Sequence, residues 1–137
     1  MDLTLRFKTA FTLLTLMQFG AVALGQVVKT EIVKIKGEYT FLRDGEPYYV
    51  NGAGGHTFID ELKKCGGNSI RTWSLDDADE ILDMAHENGL TVMTGLWLGC
   101  ERQGLDYDDA VAVQNQFNRH KQGVAKLKDQ PALLCWR

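Results

Sequence analysis

The chain has 137 residues, of which 45% are hydrophobic and 24% are charged, and its formal net charge is −3. This composition is typical of one ordinary globular domain and excludes a disordered or a fibrous protein. Lysine and arginine do not cluster anywhere in the sequence. The charge pattern therefore gives no support to binding of nucleic acid or of an anionic membrane surface.

The first 25 residues have a different character from the rest. Arg6 and Lys8 precede an apolar run over residues 10–24, which ends in small residues before Gln26. This order predicts a secretory signal peptide over residues 1–25, cleaved after Gly25. An uncleaved anchor is disfavoured because the run is shorter than the roughly 20 residues of a spanning helix; a buried helix is the other alternative. We expect export to the periplasm or the medium, with no membrane attachment after cleavage.

Three cysteines, Cys65, Cys100 and Cys135, are widely spaced and odd in number. The spacing lacks a C-x-x-C pair, which argues against a zinc site and against a disulfide framework. We predict buried free thiols. A bridge between Cys100 and Cys135 stays open as an alternative.

The mature chain begins with short strands. Lys36-Gly37-Glu38 and Asp44-Gly45 interrupt alternating apolar runs, and Asp-Gly in such a setting is a strong hairpin signal because both residues tolerate positive φ. A further strand over 48–50 leads into Asn51-Gly52-Ala53-Gly54-Gly55, which we interpret as a flexible exit from that strand.

Three helical segments follow. The segment "TFIDELKKCGG" predicts a short helix with Phe58, Leu62 and Cys65 on one face and glycines at its end. For "DADEILDMAHEN", Ser74 and Asp77 predict a capping box and Gly89 predicts the end. Its apolar face comprises Ala78, Ile81, Leu82 and Ala85.

The third helix is predicted to open at Asp108-Asp109. Its apolar stripe comprises Ala110, Val113, Phe117, Val124 and Leu127. Between the helices lie the strands "NSIRTW", "LTVMTGLWL" and "ALLCW". Such alternation predicts βαβ units on a parallel sheet, and both an open doubly wound sheet and a closed eight-stranded barrel fit the order. Neither G-x-G-x-x-G nor a P-loop pattern follows any strand, so we expect no nucleotide cofactor and no metal.

Four motifs, "FLRDGEPYYVNGAGG", "GGNSIRTW", "GLWLG" and "PALLCW", follow one another in barrel order between Ile32 and Trp136. In this order they resemble the N-terminal half of a glycoside hydrolase family 2-type (β/α)8 catalytic domain of the exported bacterial type, in the clan of retaining glycosidases. The resemblance implies an α/β fold: about the first four β-strands and three helices of a TIM barrel, preceded by a β-hairpin.

The resemblance also implies a domain over residues 26–137 that is truncated after strand four. In that family the acid/base glutamate follows strand four and the nucleophile follows strand seven, so both would lie beyond Arg137. A barrel takes about 250 residues. We therefore expect a glycosidase fragment that is inactive alone. Two alternatives are a non-catalytic carbohydrate-binding or pseudoenzyme remnant and an unrelated open α/β protein with a ligand at its switch point.

Candidate site residues follow from the resemblance and from the rule that barrel sites gather at the carboxyl ends of strands. Arg71 would pair with the nucleophilic carboxylate and keep it ionised; a surface ion pair with Asp76 or Asp77 is the alternative. Trp73 and Trp97 would stack on sugar rings, or serve the core instead.

Three more side chains are candidates for substrate contact. His56 could hydrogen-bond a sugar hydroxyl, although a plain loop role is the alternative. Glu101 and Arg102 lie in the loop after strand three; helix capping by Asp108 and a local Glu101–Arg102 pair are the alternative there. The expected partner is a carbohydrate, and open sheet edges predict self-association.

Overall fold

The computed structural model describes residues 27–137, so the predicted signal peptide lies outside the described residues. We number seven strands and three α-helices in chain order. The strands are β1 (Thr30–Ile35), β2 (Glu38–Arg43), β3 (Glu46–Pro47), β4 (Gly52–Gly54), β5 (Ser69–Arg71), β6 (Thr91–Thr94) and β7 (Leu133–Trp136). The helices are α1 (Ile59–Lys64), α2 (Ala78–Glu87) and α3 (Ala110–Leu127), with a short 3-10 helix over Glu101–Gln103. None of the helices within residues 27–137 has the length and apolar character needed to cross a membrane.

The first three strands form an antiparallel meander, β1-β2-β3. Both of its turns contain two successive residues with positive φ: 50° and 94° at Lys36 and Gly37, 54° and 81° at Asp44 and Gly45. Successive positive φ angles belong to the type I′ turn, whose twist matches that of the strands it joins. The hairpin prediction from Asp44-Gly45 is confirmed.

The other four strands form a parallel sheet in the order β4-β5-β6-β7. Each strand therefore lies beside its predecessor, as in the wall of a barrel. A doubly wound sheet requires a reversal in strand order, and the described strands contain none. The predicted α/β alternation on a parallel sheet is confirmed.

The segment Asn51–Gly55 is not the flexible exit that we expected, because its middle part is the edge strand β4. Glycine permits this pairing. A Cβ atom built on Gly52 would lie 2.2 Å from the backbone oxygen of Ser69, so a larger residue would force β4 away from β5.

The core lies between the parallel sheet and its helices. Ile70 of β5 and Val92 of β6 are buried against the predicted face of α2, including Leu82 and Ala85, neither of which is exposed. The remaining buried members of this cluster are Ala78, Ile81, Leu90, Leu127 and Ala132. The apolar face of α2 is confirmed residue by residue.

Helices α1 and α3 contact the core through fewer residues than their sequences predict. Phe58 is 74% exposed and precedes α1, and Cys65 is exposed, so only Leu62 of that predicted face packs on the core. On α3, Phe117 is 58% exposed and Leu127 is the buried residue. The reason is geometric: α1 spans fewer than two turns, and α3 reaches the core at its last turn.

The capping predictions need correction at both helices. Asp77 begins α2 in the left-handed region, with φ 53°, and its side chain caps nothing; Ser74 Oγ instead accepts a hydrogen bond from Asp76 N. At α3 the cap is Asp109 rather than Asp108: its Oδ1 accepts from Val111 N at 2.9 Å and Ala112 N at 3.1 Å.

The meander covers the amino end of the parallel sheet. Two side chains of the meander, and that of Tyr48 directly after it, hydrogen-bond backbone carbonyls before β5, before β7 and within β7. These bonds run from Tyr48 Oη to Asn68 O at 3.1 Å, from Arg43 Nη2 to Pro131 O at 2.8 Å and from Thr30 Oγ1 to Leu134 O at 3.1 Å. Asn68 directly precedes β5, and Pro131 lies two residues before the start of β7. The carboxyl ends of the strands are therefore the ones left open.

We predict that Asp109→Ala lowers the free energy of unfolding by about 1 kcal/mol, because two amide hydrogens at the start of α3 lose their acceptor. Asp108→Ala is the matched control and should change it by less than about 0.5 kcal/mol. Urea denaturation followed by circular dichroism measures both. Equal losses for the two variants would contradict the assignment of Asp109 as the cap.

Candidate functional site

One face of the parallel sheet points away from the helices. Because side chains alternate along a strand, the residues next to buried Ile70 and Val92 lie on the opposite face, which we call the inner face. Register carries one row across β4, β5 and β6, from Gly54 to Arg71 and Met93. Met93 pairs with Cys135 of β7, but a register shift between Val92 and Met93 interrupts the row there. The row below it contains Gly52, Ser69 and Thr91.

Arg71 and Trp73 form a stacked pair at the carboxyl end of β5. The guanidinium carbon of Arg71 lies 5.5 Å from the centroid of the Trp73 ring, which is within the range of a cation–π interaction. The indole also covers Gly54, where a Cβ atom would lie 3.1 Å from Trp73 Cη2. The absence of a side chain at Gly54 thus makes room for the ring beside β4.

The backbone of Trp73 meets the end of β6 equally closely. A Cβ atom on Gly95 would lie 2.3 Å from the carbonyl carbon of Trp73 and 2.4 Å from its Cα and its oxygen. Gly95 N also donates to the Thr72 hydroxyl at 3.4 Å, and Thr72 N donates to Met93 O at 3.0 Å. The chain after β5 is therefore held tightly against the chain after β6.

Two adjoining cavities open at these strand ends. The first, of about 200 Å³, brings together three of the predicted site residues, Arg71, Trp73 and Trp97. Its other lining residues are Thr72, Gly95, Leu96, Leu98 and Arg137. The second, of about 270 Å³, lies along the inner face and also contains Arg71. Trp73 and Trp97 are 49% and 55% exposed, so both indoles are accessible walls rather than core residues.

Arg71 has no counterion in the part of the chain that the structure describes. The ion pairs there join other residues, so the alternative pairing of Arg71 with Asp76 or Asp77 is wrong. Its Nε is buried without a hydrogen-bond acceptor. Neither of the two cavities is lined by aspartate or glutamate. The site as described is cationic and aromatic, and no side-chain carboxylate lines it.

The other three candidates lie elsewhere. His56 follows β4 but lines a separate cavity with Asp77 and residues of α2. Glu101 and Arg102 are exposed on the 3-10 helix and line neither cavity that contains Arg71. They do not pair with each other within residues 27–137.

All three cysteines are free thiols. The prediction of burial is wrong for Cys65, which is exposed, whereas Cys100 and Cys135 are partly buried. Burial raises the pKa of the Cys135 thiol above its ordinary value, which lowers its thiolate fraction at neutral pH. Across residues 27–137 no group of histidine, cysteine, aspartate and glutamate side chains could hold a metal ion.

Sequence reasoning missed two residues that hold the loop after β6. Gly99 N donates to Gln116 Oε1 at 2.6 Å, and Tyr107 Oη donates to Gly99 O at 2.7 Å. No motif marks either side chain. Gln116 is a polar residue inside a helix, and nothing in the sequence around it indicates that its side chain reaches a loop 17 residues earlier.

No protein-family model and no curated protein sequence matches the chain, but solved structures resemble its fold. The β-glucuronidase from Ruminococcus gnavus in complex with D-glucaro 1,5-lactone has a TM-score of 0.53 and 18% identity, over 80% of this chain and 21% of that one. The β-D-glucuronidase from Dictyoglomus thermophilum has a TM-score of 0.54 and 20% identity, over 80% of this chain and 22% of that one. The β-glucuronidase from an uncultured Clostridium sp. has a TM-score of 0.53 and 20% identity, over 80% of this chain and 22% of that one.

The chain thus spans about a fifth of the length of these enzymes. At such identities the similarity shows a shared fold. The part of the chain that is matched shares an α/β arrangement with these β-glucuronidases.

We predict that Gly95→Ala lowers the free energy of unfolding by about 1–3 kcal/mol, because the new methyl group would overlap backbone atoms of Trp73 that cannot move independently. Gly54→Ala is the matched comparison: its Cβ meets only the Trp73 ring, so it should shift tryptophan emission with a smaller loss of stability. Urea denaturation and fluorescence spectra measure both. An unchanged unfolding midpoint for Gly95→Ala would refute this close approach.

Proposed function

We propose that residues 26–137 are the leading half of a (β/α)8 glycoside hydrolase catalytic domain, and that the cavity of Arg71, Trp73 and Trp97 binds a carbohydrate. The observation that carries the proposal is this cavity, since it lies at the carboxyl ends of parallel strands in consecutive order. Barrel enzymes bind their substrates at that end. The shared fold with β-glucuronidases supports the same relationship.

The chemistry of the lining suits a sugar. Pyranose rings present C–H groups on their faces, and an exposed indole offers an apolar surface with an N–H donor at its edge. The guanidinium of Arg71 adds donors in a fixed planar array. Stacking on Trp73 holds that array in place, so little side-chain freedom remains to be lost when a ligand binds.

Arg71 has a second role in this proposal. Its charge is uncompensated among residues 27–137, and a carboxylate beside it would be stabilised in the ionised form. In a complete barrel that carboxylate would be the nucleophile. The guanidinium would orient it and lower its pKa, which favours attack on the anomeric carbon at neutral pH.

A second candidate function, non-catalytic carbohydrate binding, is favoured by one specific observation. Retaining hydrolysis needs two carboxyl groups about 5–5.5 Å apart, and neither cavity that contains Arg71 is lined by one. We propose that both groups come from outside the described residues. The 137-residue chain would then bind sugars without hydrolysing them.

Export and self-association complete the proposal. We propose that residues 1–25 direct export. Strand β4 is exposed along its whole length and pairs on one side only within the described sheet, and such an edge is a template for pairing with another chain. Self-association through the sheet edges is therefore part of the proposed behaviour.

We predict that the 137-residue chain binds simple glycosides weakly and that Trp97→Ala and Arg71→Ala each weaken binding about tenfold, through lost stacking and lost hydrogen bonds. Titration with a panel of methyl glycosides, including methyl β-D-glucuronide, followed by tryptophan fluorescence and calorimetry, measures this. Tyr39→Ala is the control, since Tyr39 is an exposed aromatic on the meander. Absence of binding by the unsubstituted chain to every glycoside would sink the proposal.

The same chain is expected to leave aryl glycosides intact, at the rate of buffer alone, because acid and nucleophile are both missing from the cavity. Release of nitrophenol from a matching panel of nitrophenyl glycosides measures this. The informative variant is Glu101→Gln. Turnover by the unsubstituted chain that this variant abolishes would move catalysis to the loop after β6.

A further inference from the structure

The loop between β6 and α3 runs over residues 95–109 and contains Trp97, one wall of the candidate cavity. Exposed tryptophans on long loops usually lack a defined position, because few contacts restrict the backbone. This tryptophan differs, because the backbone is fastened on both sides of it.

On the amino side, Leu96 N donates to Arg137 O at 2.6 Å, and Arg137 N donates to Thr94 O at 2.9 Å. These bonds continue the pairing of β6 with β7 for one more step. The residue before Trp97 is therefore tied to the sheet.

On the carboxyl side, both backbone groups of Gly99 are engaged by side chains. Its N–H donates to Gln116 Oε1 at 2.6 Å, and its carbonyl accepts from Tyr107 Oη at 2.7 Å. Gln116 lies about two turns into α3, which Asp109 caps, so its acceptor is carried by an ordered helix. Trp97 and Leu98 form a span of two residues between fixed ends.

We propose that Gln116 and Tyr107 are positioning residues for Trp97: they hold Gly99 and thereby hold the indole in the wall of the cavity. The part of this inference that concerns saccharides rests on the proposed function. The part that concerns the position of the loop does not. Gly99 itself suits this arrangement, since a Cβ atom there would lie 3.2 Å from Gln116 Oε1 and 3.5 Å from Leu105 Cβ.

Three variants and one matched control test the proposal in the 137-residue chain. Gln116→Leu removes the acceptor at similar volume, and Gln116→Glu keeps an acceptor oxygen and should restore the interaction. Gln114→Leu is the matched control on the same helix, because Gln114 bonds only Asn118 among its described contacts. Tyr107→Phe removes only the hydrogen bond from Tyr107 Oη to the Gly99 carbonyl.

The first measurement is hydrogen exchange at the Gly99 amide without any ligand. We expect exchange about tenfold faster in Gln116→Leu than in the unsubstituted chain, near-normal exchange in Gln116→Glu, and no change in Gln114→Leu. The amide of Val92 in the core of β6 serves as the internal reference and should be unaffected in all of them. Unchanged exchange at Gly99 in Gln116→Leu overturns the proposal.

The second measurement is the affinity for the glycoside that binds best in the panel described above. We expect Gln116→Leu and Tyr107→Phe each to weaken binding about threefold to tenfold, and Gln116→Glu to restore it. Faster exchange with unaltered affinity overturns the role of these residues in the cavity. If the unsubstituted chain binds no glycoside, the proposed function fails, and the exchange measurement alone decides whether the loop is held as proposed.

Discussion

Parallel pairing in consecutive order is the constraint on which the rest of this structure depends. Because β4, β5, β6 and β7 pair each with the next, all their carboxyl ends lie at one edge of the sheet, and each loop that follows a strand starts there. Arg71 and Trp73 lie at the end of β5 and Trp97 lies after β6, and the pairing of these two strands brings all three residues to one cavity. The meander closes the opposite edge through its bonds to Asn68 and Pro131. The amino end of the sheet is thus covered by packing and hydrogen bonds, and the carboxyl end is open to a ligand.

The cavity also depends on the residues that have no side chain. Gly54 leaves space for the Trp73 ring, and Gly95 lets the backbone after β6 touch the backbone after β5. The two glycines act at different levels: a methyl group at Gly54 would meet a ring that can tilt, whereas one at Gly95 would meet main-chain atoms. Stacking of Arg71 on Trp73 follows from this placement. The arginine is therefore oriented by packing, before any ligand or carboxylate is present.

Much of the fold could be predicted because its signals are local. The Asp44-Gly45 turn, the face of α2 and the strand alternation each follow from a few neighbouring residues. The predictions were wrong where contacts between distant elements decide which residues are buried. Periodicity placed Phe117 in the core, but α3 meets the core only near Leu127. Of the site residues that the resemblance suggested, Arg71, Trp73 and Trp97 line one cavity and His56 lines another. The sequence could not separate His56 from the others, since it does not say on which side of the sheet a loop turns.

The uncompensated charge of Arg71 links the cavity to the rest of the proposed barrel. A half-buried guanidinium whose Nε has no acceptor costs free energy that this part of the fold does not recover. In the proposed barrel, the partner that this guanidinium lacks would be a carboxylate from outside the described residues. A carboxylate that arrives beside Arg71 would gain from a cation already held in place by Trp73. In the proposed barrel, the unpaired charge that costs free energy within residues 27–137 would therefore strengthen the active site.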